Sequence, residues 1–192
     1  MVTEAGTLAK TLIFFLFSSG VVWAEAVVVA QFPEVSLGDR KLVLNGQATR
    51  TVWGFPVYNV GLFLEKTSGD ENLIMNGDLG AKQVRLKMLR TVSKEDFAGA
   101  VKENIARNLS AQERARFGRE LALYEKLLGT FGNISSGSTV TIDYLPRSGM
   151  VLGVDGKTIG IVEGYEFYHV MLRLWIGRPV QESIKRGLLA AG

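Results

Sequence analysis

The chain has 192 residues, 47% of them hydrophobic, a net charge of +3, one histidine and no cysteine. Without cysteine, disulfides, thiolate chemistry and a lipid-modified N-terminal cysteine are excluded. One histidine cannot form a metal-binding His cluster, and the basic residues are scattered among acidic ones, not gathered into the stripe that nucleic acid requires.

The N-terminus reads as a targeting segment. Lys10 precedes an uncharged apolar run from Thr11 to Trp23, and small residues follow at Ala24 and Ala26. That order is the one a secretory signal peptide needs, and it places cleavage after Ala24 or Ala26. A membrane-spanning helix needs about 20 predominantly apolar residues; this run is shorter, and Glu25 interrupts its continuation. The expectation is a signal peptide over residues 1–24 and one exported domain over 25–192 with no stable membrane anchor after cleavage; in a diderm bacterium that domain is free in the periplasm. About 165 residues remain, enough for a real core.

Strand patterns come first along the mature chain. Val27 to Phe32 closes at Pro33, and Lys41 to Leu44 ends at Asn45-Gly46, a turn dipeptide. Gln47 to Val52 and Val57 to Glu65 are joined across Trp53-Gly54-Phe55-Pro56. In the second of these, Tyr58, Val60, Leu62 and Leu64 share one face. Thr67 to Lys82 is mostly connection, and Gln83 to Val92 alternates again. Two helices follow, with Ser93 and Ser110 as N-caps; Ser110 to Glu113 is a full capping box, and the second helix stops at Gly129. Thr139–Leu145, Met150–Val154 and Lys157–Val162 read as strands, the last two joined by Asp155-Gly156. The chain ends in a helix over Tyr165–Ile176 and another after Pro179. Strands, then helices, predict an α+β domain.

Catalytic signatures are few. No P-loop, GxSxG or GxGxxG stands between the strand and helix it needs. His169 shares a helix stripe with Glu166 and Arg173, which predicts a solvated side chain. Two residues carry more information. Asn104 falls on the helical face of Phe97 and Val101, where an amide must be satisfied or open onto a cleft. Arg50 ends a strand of a strongly apolar protein; a cleft arginine is a fixed cation with a bidentate fork for a carboxylate or enolate.

Leu44-Asn45-Gly46-Gln47-Ala48-Thr49-Arg50, Gly61-Leu62-Phe63-Leu64-Glu65, Val101-Lys102-Glu103-Asn104 and Trp175-Ile176-Gly177-Arg178-Pro179 occur in that order. Together they resemble the landmarks of the chalcone isomerase superfamily, and more closely its bacterial chalcone isomerase-like members, which carry a secretion signal. The resemblance implies a curved antiparallel sheet packed against a layer of helices, an open-faced β-sandwich with an apolar cleft between the layers. It matches the catalytic arginine of the plant enzyme to Arg50 and its asparagine to Asn104. Three hydroxyl positions depart, to Tyr58, Phe97 and Leu174, which speaks against chalcone cyclisation. The resemblance therefore implies a non-catalytic protein whose cleft, lined by Arg50, Tyr58, Phe97, Val101, Asn104, Leu174 and Trp175, binds a small apolar carboxylate such as a fatty acid. No metal or cofactor is expected. Two alternatives stand beside it: an isomerase or intramolecular lyase using Arg50, Tyr58 and Asn104, and a haem protein that would need His169.

Overall fold

The computed structural model describes residues 32–189 except 78, 147 and 180. The expected signal peptide, and the expected first strand up to Gln31, lie outside the described residues.

Among the described residues, seven strands pair antiparallel, each with the next in sequence: β1 (Val35–Leu37), β2 (Arg40–Val52), β3 (Phe55–Leu64), β4 (Lys82–Met88), β5 (Thr139–Leu145), β6 (Gly149–Val154) and β7 (Lys157–Val162). Successive side chains along a strand point to opposite faces. Val60, Leu62 and Leu64 of β3, Val84, Leu86 and Met88 of β4, and Val140, Ile142 and Tyr144 of β5 are thereby all buried in the main core. The described residues also form six helices, in chain order α1 (Glu71–Asn76), α2 (Lys94–Asn108), α3 (Ala111–Arg116), α4 (Gly118–Gly129), α5 (Tyr165–Ile176) and α6 (Glu182–Leu188). Eight of the residues of α5, from Phe167 to Ile176, are buried. A helix apolar almost all round must sit inside the helix layer, and α5 packs against α1, α2, α6 and β6. The result is the expected α+β architecture, a curled antiparallel sheet with helices. A smaller cluster of Val35, Leu42, Phe63 and Ala81 lies apart from the main core.

Several local expectations need correction. Asn45-Gly46 is no turn: β2 runs through it, with a register irregularity between Leu44 and Gly46. The dipeptide instead receives the end of α6. Asn45 Nδ2 donates to the Leu188 carbonyl at 2.8 Å, and a Cβ on Gly46 would stand 2.5 Å from that same oxygen. The 67–82 connection contains α1, whose N-cap Asp70 accepts from the Leu73 N–H. The fully buried Lys82 opens β4 by donating to the Ile74 carbonyl at 2.8 Å, closing the far end of that helix. Strand β4 stops at Met88, and Val92 keeps only an isolated bridge to Ile134. The helix after Ser110 is two helices, broken where buried Phe117 ends α3 and begins α4.

Candidate functional site

A cavity of about 410 Å³ opens between the far ends of β2 and β3, the exit of β4 and the first three turns of α2. This is within the usual ligand-site range of about 300–1,000 Å³. Its lining includes Arg50, Trp53, Tyr58, Arg90, Phe97 and Asn104. Four of the residues singled out in the sequence, Arg50, Tyr58, Phe97 and Asn104, thus meet in one wall although they lie on three separate elements.

Arg50 is half-buried. Its Nη1 donates to the Thr51 carbonyl and, at 3.1 Å, to Gln181 Oε1. The Thr51 N–H donates to the same Gln181 oxygen, also at 3.1 Å. Gln181, just ahead of α6, therefore fixes the guanidinium from behind. The Nε and Nη2 donors, the fork that grips a carboxylate, keep no partner among the described residues. Tyr58 is the register partner of Arg50 across the β2–β3 pair. Burial pushes its phenol up to about 12, against the opposing effects of the Arg50 charge and a hydrogen bond from Trp175. A phenol held that high keeps its proton and can donate it in a hydrogen bond.

Ser93, accepting from the Asp96 N–H at 3.0 Å, starts α2 beside the cavity. One turn in, Phe97 packs against Phe131 with ring centroids 6.1 Å apart. Asn104 Oδ1 is buried without a hydrogen-bond partner. An unsatisfied buried acceptor costs about 1–3 kcal/mol, a cost that Asn104 carries beside the cavity. The acidic side chains at the rim are Asp96 and Glu103.

Other candidates fall elsewhere. Val101 lines a separate cavity of about 220 Å³ with Ile105 and Leu128, between α2 and α4. Leu174 and Trp175 are core residues, 3% and 8% exposed; Trp175 reaches the site only through Tyr58. Arg90, Trp53 and Gln181 were not singled out in the sequence, because an arginine after a strand, a turn residue and a pre-helix glutamine carry no pattern of their own.

The expected solvated state of His169 is wrong. The ring is half-buried against Tyr165, at 4.0 Å between centroids, and Nδ1 bonds the Met75 carbonyl. Burial, reinforced by the Lys82 charge, pulls its pKa down to about 4. The helix wheel placed it beside Glu166 and Arg173, but α1 packs over that stripe of α5. His169 is not part of the cavity lining. Among the described residues no group of His, Asp and Glu could hold a metal ion, and no described helix is long and apolar enough to cross a membrane.

No curated protein matches the chain. Among solved structures, a fatty-acid binding protein of Arabidopsis thaliana is similar, with a TM-score of 0.62 and 17% sequence identity over 82% of this chain and 90% of that one. Likeness at that identity establishes the shared fold. A family model described as chalcone isomerase-like matches residues 24–190, the whole of the described fold, and the chain belongs to the chalcone isomerase-like family.

Proposed function

We propose that this is an exported, non-catalytic binding protein that holds a fatty-acid-like carboxylate in the Arg50 cavity. The observation that carries the proposal is the guanidinium of Arg50: anchored from behind by Gln181, it offers its free fork to a half-buried, largely apolar space. A carboxylate there gains charge-assisted hydrogen bonds, the Tyr58 hydroxyl adds a neutral donor, and Val57, Met88, Val92 and Phe97 supply apolar surface for a chain. The structural neighbour named for fatty-acid binding supports the ligand class. Phe97 carries no hydroxyl, so the cavity lacks a proton-handling group at the position where the plant enzyme places a tyrosine.

Mass spectrometry of molecules released on denaturing the purified protein tests the proposal. An apolar carboxylate in near-stoichiometric amount is expected, depleted in Arg50→Ala. A protein that releases none, or releases the same amount from the variant, would exclude the assignment. Export rests on residues 1–24, and N-terminal sequencing of the accumulated protein should begin at Glu25 or Val27.

A further inference from the structure

The tip of the β2–β3 hairpin is built against the ordinary preferences of a soluble protein. Val52 and Phe55 pair directly, so the turn has two central residues, Trp53 and Gly54, with φ of 54° and 82°. Positive φ at both central positions is the type I′ pattern, which favours Asn, Asp or Gly at the first. The β6–β7 hairpin obeys that preference, with Asp155 and Gly156 at 49° and 77°. The β2–β3 hairpin places a tryptophan where a bulky side chain strains the backbone. That tryptophan is 94% exposed, and Phe55 beside it is 67% exposed. Neither backbone strain nor loss of contact with the core favours this arrangement within the folded chain.

Its surroundings indicate what does. Thr51 to Val57 (TVWGFPV) contains no charged residue, while Arg50 and the exposed Arg90 stand beside it on the strand side of the cavity rim, and the exposed acids Asp96 and Glu103 stand on the α2 side. An uncharged aromatic tip flanked by arginines is the arrangement that settles at a bilayer interface: amphipathic rings lie among the headgroups and cations reach the phosphates. Trp53 also lines the cavity, so the tip and the cavity mouth are continuous.

We propose that the β2–β3 hairpin tip docks on an anionic lipid bilayer, with Trp53 and Phe55 in the headgroup layer and Arg90 at the phosphates, and sets the cavity mouth against the lipid from which it takes its ligand. The last clause rests on the fatty-acid reading of the cavity; the docking itself does not.

The test uses the exported protein and vesicles of phosphatidylethanolamine with phosphatidylglycerol, beside vesicles of phosphatidylcholine alone. Co-sedimentation with the anionic vesicles is expected, weakening with salt. Brominated acyl chains should quench tryptophan fluorescence, and Trp53→Phe should abolish that quenching. Phe55→Ser should weaken vesicle partitioning about tenfold while leaving affinity for a medium-chain fatty acid in vesicle-free buffer unchanged. Trp53→Gly should also detach the protein, yet raise its melting temperature by about 2–4 °C by relieving the strained turn. A variant that is more stable but no longer docks rules out misfolding as the cause. Wild-type protein left in the supernatant overturns the proposal, whether or not a protein is later found on the tip, and so does partitioning undiminished in Phe55→Ser and Trp53→Gly. Docking without acid binding in buffer would keep the docking surface and remove the cavity's ligand.

Discussion

Arg50 and Tyr58 face one another across the β2–β3 pair and share a wall of one cavity. Directly opposed residues on a sheet face have Cβ atoms about 4.5–5.5 Å apart, close enough for the cation to favour phenolate. Burial outweighs it, and the phenol is held at about 12. Tyr58 is therefore a neutral hydrogen-bond donor at any physiological pH, suited to binding a carboxylate and poorly suited to accepting a proton. Tyr58→Phe should weaken fatty-acid binding about two- to tenfold, the worth of one neutral hydrogen bond at roughly 0.5–1.5 kcal/mol. Calorimetric titration measures this directly, and unchanged affinity would remove the phenol from the site.

The stability of the domain should carry two opposing pH dependences. Asp143, mostly buried on β5, is raised to about 6 by burial, against the Gln83 hydrogen bond and the Arg85 charge. Above pH 3.8 the unfolded chain has released that proton while the native state still holds it, so this contribution is full below 3.8 and is lost as pH rises through about 6. His169, lowered to about 4, has the reverse sign: between 6.5 and 4 the unfolded chain takes a proton that the native state refuses, so stability falls on acidification. The two partly cancel in the wild type. Asp143→Asn should expose the histidine's slope, losing stability steadily from pH 6.5 to 4 in urea melts. His169→Gln should show the opposite trend, gaining stability over pH 6 to 4. Parallel curves for both variants and the wild type would contradict these assignments.

Gly46 couples the sheet to the site. A Cβ there would press on the carbonyls of Gly187 and Leu188 at the end of α6. Gly46→Ala should cost about 1–3 kcal/mol in overpacking. Because Gln181, one residue before α6, holds both Arg50 and Thr51, ligand affinity should fall with it. A destabilised variant with intact affinity would show that α6 does not position the arginine.

Chalcone cyclisation should run at its spontaneous rate in the presence of the protein. One positioned acid–base group typically contributes about 10²–10⁴-fold when its pKa lies near the operating pH; Phe97 has no hydroxyl, and Tyr58 is held far from that range at about 12. A strong, Arg50-dependent acceleration would favour the isomerase alternative.

What was legible in the sequence followed local physics. Period-two alternation gave the buried face of β3, Asp155-Gly156 gave its hairpin, and Ser110 with Glu113 gave a capping box that the structure contains. Asn45-Gly46 misled because a turn dipeptide is also what a close helix approach requires, and only the position of α6 distinguishes the two uses. The histidine misled for a related reason: a wheel shows which residues share a stripe, but not that α1 will cover it. Arg50 and Asn104 were legible as residue types in unusual settings. The Gln181 brace and the aromatic tip were not, since each depends on which loop ends meet in space.

Fatty-acid titration of wild type, Arg50→Ala and Arg50→Lys is the most direct test of the central claim. The charge-assisted fork is worth roughly 1.5–3 kcal/mol, so Arg50→Ala should lose about one to two orders of magnitude in affinity for a fluorescent long-chain acid. Arg50→Lys should recover part of it, keeping the charge without the planar fork. Melting temperatures should fall only modestly, because Arg50→Ala removes just the half-buried Nη1 bonds to Thr51 and Gln181, each worth roughly 0.5–1.5 kcal/mol. A wild type that binds no acid, or an Arg50→Ala variant that binds as tightly as wild type, would contradict the anchoring role.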